Sequence, residues 1–120
     1  MKKPLYCFVL CCLFSSSSWS ASAEEYVVAV EKINQNYKNE LRAFYGKLSP
    51  QAQGFTASQQ QQYCSMMNRY VDQLYLAADQ NRMYLDRQYR SLTKQDVISE
   101  VMSSKEVKML KRYNVSCQLS

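Results

Sequence analysis

Residues 63–92 read YCSMMNRYVDQLYLAADQNRMYLDRQYRSL, a run with neither glycine nor proline. Placed at about 100° per residue, Met67, Leu74, Ala78, Leu85 and Leu92 fall along one line, flanked by Tyr63, Val71 and Tyr89. That spacing predicts an amphipathic helix running to about Arg90. Two start signals precede it, Thr56 with Gln59 and Ser58 with Gln61, each spaced as a capping box. Cys64 lies at the edge of the apolar face.

The cysteines convert this helix into a topology. Of the five in the chain, Cys7, Cys11 and Cys12 fall within residues 1–23. This segment reads as a cleaved secretory signal: Lys2 and Lys3 precede an apolar stretch from Leu5 to Phe14, and Ala21-Ser22-Ala23 supplies the small residues of a cleavage site. Cys11 and Cys12 do not suit a lipid-attachment cysteine, since neither follows a small residue and both lie too early for an apolar stretch to precede them. Residues 24–120 then form one domain with two cysteines, and an even count in an oxidising compartment is read as a disulfide between Cys64 and Cys117. Closing a loop of about 50 residues stabilises the fold by about 4 kcal/mol on chain-entropy arithmetic.

A helix from Cys64 to Arg90 travels about 39 Å. Bonded cysteines sit with Cα atoms within about 7 Å, so the chain beyond Arg90 has to return antiparallel. The return has its own start signal, Thr93 with Asp96, and an apolar stripe of Val97, Ile98, Val101 and Met102. Ser103 with Glu106 repeats the capping pattern and predicts a break, followed by a short piece with Val107, Leu110 and Tyr113 inward and Asn114 as a left-handed stop. Upstream, Val27, Val30, Ile33, Tyr37, Leu41, Phe44 and Leu48 recur at helical spacing and predict a first helix from about Glu24 to Lys47. Pro50 and Gly54 then mark a loop. The expected fold is all-α, a small antiparallel bundle of three to four helices stapled by one disulfide.

Chemistry is constrained by what the chain lacks. It contains no histidine, which excludes Ser-His-Asp and Cys-His catalysis. Glu24 with Glu25 and Asp72 with Asp79 are the nameable carboxylate pairs, but they sit on solvated helix faces, with arginines near the two aspartates that would hold them ionised. The expectation is therefore a non-enzymatic protein. No metal or cofactor is expected: Asp79-Gln80-Asn81 opens like a calcium loop yet lacks its glycine and closing glutamate. A domain this small holds one core rather than a core and a large internal cavity. Asn114-Val115-Ser116 matches a glycosylation acceptor, read as incidental beside a leader of bacterial style.

Tyrosine is the compositional signal. Nine of the ten tyrosines lie after residue 23, against two of the four phenylalanines. Arginines accompany several of them, and Tyr, Arg and Met are the types enriched at protein interfaces. On a continuous second helix Arg69, Gln73, Leu76, Gln80, Met83 and Arg87 would share a stripe away from the core line, with Met66 and Tyr84 beside it. Leu76 and Met83 are apolar residues on the wrong face, either covered by the first helix or left as the centre of a partner surface. Leu76, Met83, Tyr84 and Arg87 are thus the candidate partner-binding residues. Lys105, Lys108, Lys111 and Arg112 form a second, basic segment that also suits a helix C-terminus.

These features fit a periplasmic or secreted domain that binds another protein, as inhibitors and immunity proteins do. A periplasmic chaperone or secretion-system accessory is the alternative. Export argues against a nucleic-acid partner, no apolar run after the leader approaches the roughly 20 residues of a membrane span, and a homo-oligomer stays open.

Overall fold

In a computed structural model the backbone is described for residues 2–120 and the side chains for residues 23–120. Helices α1 (Lys2–Gly46), α2 (Ala57–Gln80), α3 (Lys94–Met102) and α4 (Lys105–Lys111) make up the chain, with 3₁₀ turns at Arg82–Tyr84 and Arg87–Tyr89 between α2 and α3. The described residues contain no strand, and none of their helices is long and apolar enough to cross a membrane. Helix α1 begins well before the expected Glu24; the leader reading of residues 1–23 concerns side chains that, except for Ala23, lie outside the described set.

Local chemistry places the helix ends. Thr56, rather than Ser58, caps α2: its hydroxyl accepts from the Gln59 amide at 3.1 Å while the Gln59 carboxamide accepts from the Thr56 amide at 2.8 Å. Thr93 and Asp96 form the same reciprocal pair at the start of α3. These hydrogen bonds lower the Asp96 carboxyl below its usual value. The break between α3 and α4 falls where expected, but its cap is Ser104, which accepts from the Val107 amide. Glu106 is thereby one position too early to close a box with that cap, and its carboxylate turns inward.

Helix α2 is the central element. Its Val71 packs with Val97 and Ile98 of α3, and its Tyr63, Met66 and Met67 share a cluster with Val107 and Leu110 of α4. The lower-numbered partners on α2 meet the higher-numbered ones on α3 and α4, so the return is antiparallel as the disulfide requires. Helix α1 is antiparallel to α2 as well: Tyr37 stacks on Tyr70 with ring centroids 4.0 Å apart, and Phe44 packs against Tyr63 and Phe55. Burial rises along α1, with Leu41 and Phe44 buried and Val27 exposed, contrary to its expected inward position.

The end of the chain completes the core. Asn114 has φ 61°, the left-handed conformation asparagine tolerates. The Val115 amide donates back to the Leu110 carbonyl and the Asn114 amide to that of Lys111, the paired bonds of a Schellman motif. The motif swings Val115 inward, to 3% exposure, while Tyr113 stays outside at 55%, which corrects its expected inward placement. Beyond it the tail runs alongside α2. Gln60 donates to the Ser116 carbonyl, Cys64 is bonded to Cys117 with Cα atoms 5.4 Å apart, and the Ser120 amide donates to the Asn68 side chain. From Gln60 to Asn68 a helix rises about 12 Å, and from Ser116 to Ser120 an extended chain covers about 13 Å. The two spans match end to end, so both ends of the tail reach α2, with the Cys64–Cys117 bond between them.

Replacing Cys64 and Cys117 together by serine should lower the unfolding free energy by about 4 kcal/mol. A urea titration followed by circular dichroism reads the effect; an unchanged midpoint would remove the bond from the stability argument.

Candidate functional site

The segment between α2 and α3 is organised by one guanidinium. Arg82 Nε donates to Asp79 Oδ1 at 2.7 Å, Nη1 to the Arg90 carbonyl at 2.8 Å, and Nη2 to the Leu92 carbonyl at 2.9 Å and the Tyr75 hydroxyl at 3.3 Å. The group also lies 5.7 Å from the centre of the Tyr75 ring, within cation–π range. Its bond to the Asp79 carboxylate, helped by Tyr75, raises the guanidinium above its already high pKa. The Arg90 Nε in turn donates to the Leu85 carbonyl, and Leu85 is buried, so the segment is pinned from within and from one side. A loop fixed in this way holds its outward side chains in place.

Those outward side chains include three of the four candidate residues. Met83 is 84% exposed and Tyr84 57% exposed on the first 3₁₀ turn, and Arg87 is exposed on the second. Leu76, 54% exposed, stands apart on the last turns of α2. The expected continuous stripe does not exist, because α2 ends at Gln80 rather than near Arg90. The Asn81 carboxamide donates to the Ala77 carbonyl and the Asn81 amide to Ala78, closing the helix locally as asparagine side chains do. The upper part of the stripe lies beside α1, where Met66 is buried and Arg69 pairs with Glu40 at 3.4 Å. Its lower part, Leu76, is not covered.

The two aspartates read as surface charge have partners. Asp79 binds Arg82, while Asp72 pairs with Lys94 at 2.6 Å rather than with an arginine.

Apart from Tyr26 and Tyr75, the tyrosines after residue 23 divide into two populations that composition could not separate. Tyr84, Tyr89 and Tyr113 are exposed, whereas Tyr37, Tyr45, Tyr63 and Tyr70 line the contact of α1 with α2 and α4. The Tyr45 and Tyr63 hydroxyls both donate to Glu106 Oε1 at 3.0 Å, and the Tyr70 hydroxyl donates to Asn34. Burial, with the Glu106 charge next, pushes the Tyr37 hydroxyl up to about 12. Burial lifts Tyr63 further still, with Tyr37 and Glu106 adding to it. This polar knot was missed at the level of sequence, since the capping pattern had assigned Glu106 to a helix start.

A second feature missed there is a groove of about 920 Å³ over α2, with α1 and α3 as its walls and the start of α4 at one end. Tyr70, Leu74 and Ala78 belong to its α2 side, Val30 to α1 and Val97 to α3. It was invisible to periodicity because it depends on how far apart two helices lie.

Two expectations follow. Substituting Arg82 by alanine should speed amide exchange several-fold across residues 83–92 while the helical signal is kept; unchanged exchange would mean that Leu85 alone pins the segment. In alkali the buried phenols set the sign. Their folded values lie above 10.0, so the folded state holds more protons, and the stability they confer is complete below pH 10.0 and lost as pH rises toward about 12 and beyond. Phenolate absorbance from the buried group should therefore appear together with loss of helix. Complete titration near pH 10.0 with the helix intact would contradict the knot.

No family model matches the chain, and no curated protein or solved structure shows significant similarity to it.

Proposed function

We propose that the chain is an exported, non-enzymatic protein-binding domain of the inhibitor or immunity type, which covers and neutralises a periplasmic or secreted protein. The observation that carries this reading is the exposure of Met83 and Tyr84 on a turn held by Arg82. Exposed single apolar residues are ordinary on protein surfaces. Here two large ones sit side by side on a pinned turn, and a depression of about 240 Å³ lies between Met83, Arg82 and Arg90. Binding through such a turn costs little ordering entropy, which is the usual advantage of a preorganised surface. Met83 and Tyr84 are the anchors, Arg87 is the cation available to an acidic group on the partner, and Leu76 extends the apolar area along α2.

Export is supported by the charge and apolar pattern of residues 1–23 and by the Cys64–Cys117 bond, which persists in oxidising compartments. A periplasmic location follows from the bacterial style of that pattern, with release to the medium as the other destination.

The test is capture of partners from the envelope fraction by the tagged full chain in its native host, followed by mass spectrometry. One partner at fixed stoichiometry is expected. Met83→Ser with Tyr84→Ser should weaken that complex about thirtyfold, the loss of one hot spot of about 2 kcal/mol, with the helical signal unchanged. A broad spread of weakly held proteins would sink the inhibitor reading in favour of a chaperone.

A further inference from the structure

The groove over α2 is the largest concavity described, and the Met83 turn has no part in it. Helices α1 and α3 both run antiparallel to α2 and flank it, leaving a slot between them where a four-helix bundle would hold another helix. From Tyr70 to Ala78 the slot follows α2 for about 12 Å, two turns, which accommodates apolar anchors at i, i+4 and i+7 of an incoming helix. Val30 lies in one wall and packs into neither core cluster, so its exposed surface is available to such an anchor.

Charge selects among amphipathic helices. The residues lining the groove include three carboxylates, Asp96, Glu100 and Glu106, and no lysine or arginine. This runs against the sign of the whole chain, whose formal charge is +5. Asp96 is partly engaged in capping α3 and Glu106 in the tyrosine knot, while Glu100 is exposed on the groove-facing helix. Tyr26, Tyr37, Tyr70 and Tyr89 add aromatic surface, which attracts cations through ring faces. We infer that the groove is a docking site for a basic amphipathic helix of a partner protein, with aliphatic anchors between α1 and α3 and lysine or arginine against the Asp96 and Glu100 rim. This rests on the reading of the chain as a protein-binding domain and extends it to a second face.

The test uses two fluorescein-labelled helical peptides of about 15 residues, one of leucine and lysine and one with glutamate in place of every lysine. Both are titrated with the full chain at low salt and followed by anisotropy. The leucine–lysine peptide should bind in the micromolar range and its glutamate counterpart about tenfold more weakly or less. Glu100→Lys and Val30→Arg should each weaken the basic peptide about tenfold. Glu100 is exposed and Val30 lies outside both core clusters, so circular dichroism should be unaffected by either change. Met83→Ser should leave peptide binding unchanged, so failure of the groove and failure of the Met83 face are read separately. Equal binding of the two peptides, no binding of either, or persistence of binding in both groove variants would overturn the inference.

Discussion

The tether from Cys64 to Cys117 is the constraint on which the rest of the structure depends. Without it the residues after Val115 would be held to α2 only by the Gln60 and Asn68 side-chain bonds and the packing of Leu119. With it, the Schellman turn at Asn114, the Gln60 and Asn68 side-chain bonds and the extended run of residues 116–120 all act on the same face of α2. Leu119 touches both hydrophobic clusters, so the tail adds to the bridge that Val101 and Met102 of α3 already make between them. A domain this small has little core to spare, and a covalent closure of its longest loop supplies what further apolar burial would in a larger protein.

Much of this was legible in the sequence because it is local or covalent. Capping residues act within three positions, so Thr56 and Thr93 could be found from spacing, and two cysteines leave one pairing. Asn114 announced its own left-handed turn. The misreadings arose where tertiary contacts decide between nearby options. Ser103 and Ser104 are equally good caps by type, and the register went to Ser104, leaving Glu106 to meet Tyr45 and Tyr63. Asn81 is tolerated in a helix, but with Arg82 drawn to the carbonyls of Arg90 and Leu92 the helix closes there instead. Tyr113 and Val115 compete for one inward position, and the backbone reversal at Asn114 gives it to Val115.

For the candidate residues, periodicity identified which side chains are off the core line but not what covers them. Arg69 lies on the same stripe as Leu76, with Met66 beside it, yet Met66 is buried, Arg69 reaches Glu40 of α1 and Leu76 is left exposed. Arginine beside tyrosine likewise carried two meanings. Arg82 is a structural clamp with four acceptors, while Arg87, five residues on, has an exposed side chain. Composition counts both alike, and only the geometry of the intervening turns separates them.

Order is unevenly distributed along the bundle, and the proposed binding surfaces follow that distribution. At the Cys64 end, disulfide, tail, phenols and Glu106 converge, and there Phe44, Tyr63, Met66 and Met67 are buried together, with Met109 and Tyr113 left outside. At the opposite end α1 exposes Val27, α2 exposes Leu76 and stops, and the slot beside α3 is unfilled. Exposed apolar surface costs stability wherever it occurs, because that area contributes nothing to the core. A covalently closed core at one end lets the other keep such surface without unfolding. Arg82 then solves the remaining problem, since an exposed loop at the loose end would otherwise be mobile. It fixes the turn through polar bonds to backbone carbonyls, so the apolar side chains at Met83 and Tyr84 are left outside rather than consumed in holding the loop.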